Sequence, residues 1–230
     1  VLPKLTHPTF NVQIPSTKKN VSLRPMLVKE EKILLMAKES GEDADIMQAV
    51  LQVVNNCMIN GDANKLTVFD LEFLFIRLRA NSVNNITTVE LTSEGETYRF
   101  EVDLHKVEVK FPGHDKRIML DSKTGIMMKY PEATLFNDRE FMALEGQAFY
   151  DALALNCIDY VFVGDAVHKG YTKRDLAEWL ENLDMKASEK LREFIMNMPT
   201  VHYEQKYTNK KTGAEETLTL RALQDFFMLA

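Results

Sequence analysis

The sequence predicts an α+β fold: a helical scaffold of three N-terminal helices plus C-terminal helices, with a central antiparallel β-rich insert. Three observations predict it. Apolar residues recur at helical spacing between residues 28 and 79, punctuated by Gly41 and by Asn60-Gly61. They change to alternation between residues 86 and 111, and helical spacing returns after Pro131. The expected segments are 1–85 (hairpin and three helices), 86–131 (β-rich insert) and 132–230 (helices, a terminal hairpin and a short helix). They can form one α+β unit or two packed lobes.

Phe10, Val12 and Ile14 alternate with polar neighbours, residues 15–20 form a turn cluster, and Val21 and Leu23 resume the alternation. This predicts a hairpin. Pro25 fits a helix entrance, where its missing N–H costs little. The first helix is expected over 28–39, with Glu30 and Glu31 near its positive end. Its apolar block runs nearly all the way round, which predicts a buried helix. The second is expected over 45–59, with Ile46, Val50, Val53, Val54 and Cys57 on one face and Asn60-Gly61 at its stop. The third starts at Thr67, an N-cap with Asp70 three residues on, and runs to Arg79. It has so little polar surface that it is a core helix or an interface helix.

In the insert, Val89 and Leu91 face a second run, Tyr98, Phe100, Val102 and Leu104, across a turn at 93–96. Val107, Val109 and Phe111 alternate in the opposite phase, so a bulge or turn is expected at His105-Lys106. Residues 118–120 and 126–130 are further strand candidates. Beyond Pro131 the pattern predicts a long helix over 138–156, an untyped apolar run at 158–163, and helices from Thr172 to 183 and over 186–197. Strands over 201–207 and 216–220 flank a turn at 209–213, and a short helix is expected to run to Ala230.

The chain has 230 residues, 45% apolar and 27% charged, and a formal net charge of −6. That composition excludes collagen-like and disordered classes. No uninterrupted apolar stretch exceeds five residues, far short of the roughly 18 of a membrane span. The first eight residues lack the apolar and basic regions of a signal segment. Two cysteines a hundred positions apart, Cys57 and Cys157, suggest a reducing compartment. The acidic balance disfavours general affinity for nucleic acid. A soluble intracellular protein is the expectation.

Catalytic motifs are missing: there is no G-x-G-x-x-G, phosphate loop, G-x-S-x-G, H-E-x-x-H or C-x-x-C. Asp103, His105, His114 and Asp115 could converge on a metal, although a surface turn at each position is the plainer reading. His7, His168 and His202 show no partner. Asp62-Ala63-Asn64 fails as a calcium loop because Leu66, Thr67 and Phe73 stand where ligands and the glycine are needed. Both cysteines adjoin apolar residues and are expected to be inert thiols. Neither a catalytic site, a metal site nor a cofactor is predicted. Twelve methionines and the apolar ending from Leu223 to Leu229 point instead to packing or partner contact. The residues expected to contact partners are Phe69, Phe73, Phe75, Leu78, Phe226 and Phe227.

Several blocks together resemble a known family. Ile14-Pro15-Ser16-Thr17, Leu23-Arg24-Pro25 and the run from Leu27 to Leu35 resemble the opening of the T4-type phage baseplate hub family. Phe69-Asp70, Glu72, Leu74-Phe75, Leu78-Arg79 and Ser82-Val83 continue the likeness, as do Tyr130-Pro131 and Leu223, Asp225 and Phe226-Phe227. The resemblance implies a non-enzymatic tail protein of a contractile-tailed bacteriophage that builds the central hub, as hub subunit or as assembly factor. It implies contacts with other hub or tail proteins, or with further copies of the chain, and none with nucleic acid or membrane. The implied location is the host cytoplasm during assembly and then the tail baseplate. Relatives can carry a C-x-x-C knuckle in the C-terminal hairpin, but residues 203–220 hold no cysteine, so no zinc role carries over. The alternatives are a transient chaperone absent from the finished particle and, more remotely, a metal-dependent hydrolase.

Overall fold

The computed structural model describes residues 3, 5–113 and 115–226. In chain order it contains β1 (Phe10–Gln13), β2 (Asn20–Leu23), α1 (Val28–Ser40), α2 (Asp43–Cys57), α3 (Val68–Ser82), β3 (Ile86–Ser93), β4 (Glu96–Asp103) and β5 (Glu108–Lys110). These are followed by β6 (Arg117–Met119), β7 (Thr124–Met128), α4 (Arg139–Met142), α5 (Gly146–Cys157), β8 (Ile158–Val163), β9 (Ala166–His168), α6 (Lys173–Leu180) and α7 (Met185–Met196). The last elements are β10 (Thr200–Thr208), β11 (Glu215–Leu220) and α8 (Leu223–Phe226). All strand pairs are antiparallel, so the α+β class holds. Two compact units emerge: Val1–Lys110 with Thr200–Ala230, and Phe111–Pro199. Residues 86–131, one segment in the sequence, are shared between them.

In the first unit, β1 pairs with β2 from Phe10↔Leu23 to Gln13↔Asn20. The turn between them is pinned to the start of α3, where the Asp70 carboxylate accepts from the Ser16 N–H at 2.9 Å and from the Thr67 hydroxyl at 2.7 Å. Thr67 is the N-cap of α3, as its position predicts. Helix α2 stops at Cys57, two residues before the expected end. The chain then runs extended beside β2, with the Ile59 N–H on the Ser22 carbonyl at 2.8 Å and the Arg24 N–H on the Cys57 carbonyl at 2.9 Å. Those two bonds replace the last helical turn.

Helix α1 departs from expectation. Of its residues only Glu30 is buried, while Val28, Leu35 and Met36 are 66%, 53% and 71% exposed. It packs along α2, and a single helical neighbour covers one side, leaving the rest of its apolar block uncovered.

The β3–β4 hairpin runs in register from Ile86↔Asp103 to Ser93↔Glu96. The phase change at His105 is a 3-10 turn over Leu104–Lys106, closed by the Asp103 carboxylate on the His105 N–H at 3.0 Å. Beyond it, β5 pairs with β10 rather than with β4, placing β10 between β11 and β5. The Arg77 guanidinium donates to the carbonyls of Leu104 and Val107, both at 2.9 Å, and fixes that exchange.

The second unit is a four-stranded sheet, β6-β7-β8-β9, packed with α4 to α7 around Ile126, Met128, Cys157, Ile158, Leu191 and Phe194. The untyped run at 158–163 is strand β8, and β9 returns from it across Gly164-Asp165. The long helix expected over 138–156 is two helices. Asp138 caps α4, which ends at Met142, and Gly146, the first residue of α5, adopts φ 55°, a left-handed conformation that no continuous helix permits. Thr172 starts α6 as its position predicts, and Asp184 caps α7, which begins one residue before the expected 186. His114 and residues 227–230, the end of the expected terminal helix, lie outside the described residues.

Candidate functional site

The two carboxylates among the candidate metal ligands, Asp103 and Asp115, hold hydrogen bonds of their own. The Asp103 carboxylate holds the His105 N–H and the Asn85 amide at 3.1 Å, while Asp115 accepts from the Arg117 N–H at 2.9 Å. His114 lies outside the described residues. Among the described residues no three His, Cys, Asp or Glu side chains are arranged to hold a metal ion. Burial pushes the Cys57 thiol up to about 11 and the Cys157 thiol up to about 12, so both stay protonated near neutral pH. His202 does have a partner: its Nε2 lies 2.9 Å from Glu204 Oε1. The two sit two positions apart on β10, where alternate residues share a face, and that spacing is legible in the sequence.

Four buried polar side chains tie the first unit together: Glu30, Asp70, Glu72 and Asn209. Glu30 is fully buried and meets Arg24 twice, at 2.9 and 3.3 Å, while also accepting from the Leu27 N–H at 2.9 Å. Burial alone would raise its pKa; the Arg24 bond, the Leu27 N–H and Lys29 outweigh burial and hold it below its ordinary value. Arg24 also reaches the Pro25 and Asn56 carbonyls, so one guanidinium joins β2, α1 and the end of α2. Asn209, in the β10–β11 turn, accepts from the Lys211 N–H at 2.9 Å and from the Tyr98 hydroxyl at 3.3 Å. Glu72, on α3, accepts from the Leu223 N–H of α8 at 3.4 Å. Burial lifts its carboxyl to about 7, and Asp225 nearby adds to the effect.

Beside these ties lies a groove of about 590 Å³ walled by α1, α2, α3 and α8 and by Thr87 and Thr88 of β3. Leu34 and Leu35 line one side, Ile46 and Met47 another, and buried Phe75 and Phe226 contribute to its wall. Arg79 also lines it, and its Nη1 is buried without a hydrogen-bond partner. Of the residues expected to contact partners, Phe75 and Phe226 therefore meet at one place. Phe69 and Leu78 are buried in the same unit, and Phe73 lies 4.7 Å beneath the Arg77 guanidinium. Phe227 is outside the described residues. The groove itself escaped the sequence reading. Its signal was the excess of apolar residues on α1, which exceeds what one neighbouring helix can cover.

The fold and this surface define an α+β protein of two units whose first unit carries an apolar concave face walled by helices. The family model described as T4 bacteriophage base plate protein matches residues 7–228, and the chain belongs to that family. No curated protein and no solved structure matches the chain. Arg24, Glu30, Asp70 and Glu72, which help to carry the sequence resemblance, participate in polar contacts that join elements of the first unit, and Asp225, which also helps to carry it, caps the start of α8. That part of the resemblance is thus explained by folding.

Proposed function

We propose that the protein acts without catalysis in building the central hub of the phage baseplate, as a hub subunit or as a factor in hub assembly, through contacts with other tail proteins. The observation that carries this reading is the family match across residues 7–228, which includes both units. The apolar groove supports it, because a concave apolar face rimmed by charge suits a partner protein. Work of this kind takes place in the host cytoplasm and ends at the tail baseplate.

Mass spectrometry of purified particles, quantified against known tail proteins, tests the proposal. A fixed small copy number makes the chain a hub subunit. Presence in infected cells with absence from particles makes it an assembly factor of the chaperone kind. If tails assemble with complete hubs when the gene is deleted, the proposal fails.

A further inference from the structure

We infer that Asn60-Gly61, in the turn after α2, is a self-modification site: the Gly61 nitrogen attacks the Asn60 side-chain amide, and the Ser22 N–H stabilises the oxyanion that forms. The inference is independent of the assembly role. Asn60-Gly61 is the one Asn-Gly pair of the chain. A glycine presents its backbone nitrogen with no side chain to shield it, and both residues of the pair are exposed. Among the described residues no hydrogen bond holds the Gly61 N–H, so the nucleophile is open to water and base.

The electrophile is held from the other side. Ser22 of β2 offers its carbonyl to the Ile59 N–H at 2.8 Å and donates its own N–H to Asn60 Oδ1 at 2.6 Å. The Asn60 side chain thus stands where the next backbone acceptor beside β2 would stand. That bond orients the amide and aims a donor at the atom on which negative charge develops. Asn81-Ser82 makes the contrast. It lies in the last turn of α3, where backbone nitrogens serve the helix, and the Asn81 amide donates to the Arg77 carbonyl at 2.7 Å.

Hydroxide takes the Gly61 amide proton, the nitrogen bonds to Asn60 Cγ, and the carbonyl electron pair moves onto Oδ1, which the Ser22 N–H receives. Collapse re-forms the carbonyl and expels the side-chain nitrogen, which takes a proton from water and leaves as ammonia, returning hydroxide. Solvent water then opens the resulting succinimide at either carbonyl, giving aspartate or isoaspartate. The balance is one amide and one water consumed, one carboxylic acid and one ammonia formed. Each event places a new carboxylate beside β2, and the isoaspartate route also adds a carbon to the main chain between α2 and α3.

The test incubates the full chain near neutral pH, native and in urea, and follows every asparagine by peptide mass spectrometry with isoaspartyl methyltransferase labelling. The expected result is that Asn60 converts before any other asparagine, and no more slowly in the native chain than in urea. Exchanging the Ser22 amide for an ester removes the N–H that Asn60 accepts. That change should slow native conversion about tenfold and leave conversion in urea unchanged. Thermal unfolding verifies the fold of the ester chain, and the comparison of native with urea stands even if that chain does not fold. Asn60 persisting in the native chain while the unfolded chain converts would overturn the inference. So would equal native rates for amide and ester, or another asparagine converting faster in the native chain.

Discussion

The two units solve the same problem with different materials. The first buries Glu30, Asp70, Glu72 and Asn209 and uses them to join elements distant in sequence, as when Asp70 holds the turn at Ser16. The second, among its described residues, has no buried charged side chain and closes around an apolar cluster in which Tyr130 stacks on Phe194 at 5.6 Å. Apolar packing tolerates exchange among residues of similar volume, whereas a buried carboxylate demands one partner in one place. The first unit is therefore the more sensitive to single polar substitutions, and the second to changes of volume.

The largest effect is expected at Arg24. Arg24→Ala leaves the buried Glu30 with only the Leu27 N–H and the exposed Lys29 at 3.7 Å, and should lower the stability of the first unit by about 3–5 kcal/mol in urea unfolding. Pairing Arg24→Met with Glu30→Leu should restore most of that loss. If the double variant is no better than the single, the pair does more than satisfy itself, and the contrast between the units sharpens.

The second prediction is a pH dependence confined to the first unit. Glu72 has its carboxyl raised to about 7 from a usual value of 4.5, so the folded state holds a proton that the unfolded chain has released. Stability from this group is fully present below pH 4.5, falls as pH rises, and is lost by about pH 7, a total of order 3 kcal/mol. Glu72→Gln should flatten that slope in thermal unfolding followed from pH 5 to 7.5. An unchanged slope would transfer the dependence to another group.

The third and smallest tests the apolar unit. A Cβ at Gly125 would collide with the Phe162 ring and meet the Ile118 carbonyl oxygen at 2.8 Å, across both neighbours of β7. Gly125→Ala should cost about 1–3 kcal/mol, since the ring can swing but the backbone oxygen cannot. A neutral outcome would mean that this sheet gives way more readily than its packing indicates.

Local signals were legible in the sequence. Thr67 and Thr172 mark helix starts because a cap needs only its own next turn. Alternation in Tyr98, Phe100 and Val102 reports a half-buried strand for the same local reason. What escaped depends on distance or on a single residue. Gly146 divides a helix that the apolar spacing joins, and the Gly164-Asp165 turn that returns β9 is too short to weigh in a periodicity. The exposure of α1 and the groove beside it depend on what α2, α3 and α8 leave uncovered, and no window of sequence contains all four. Apolar content alone cannot say which side of a helix finds a neighbour.

The pairing of Lys110 with Thr200 has a consequence in time. The ribosome delivers β5 first and must then make the whole of Phe111–Pro199 before β10 exists to receive it. At typical synthesis rates of about 5–20 residues per second, that interval is roughly 5–20 s, long compared with the microseconds to seconds in which small domains fold. The inserted unit is complete and able to fold while the chain that encloses it in sequence still waits for its last two strands. Birth order and chain order are thus reversed: the segment begun first is finished last.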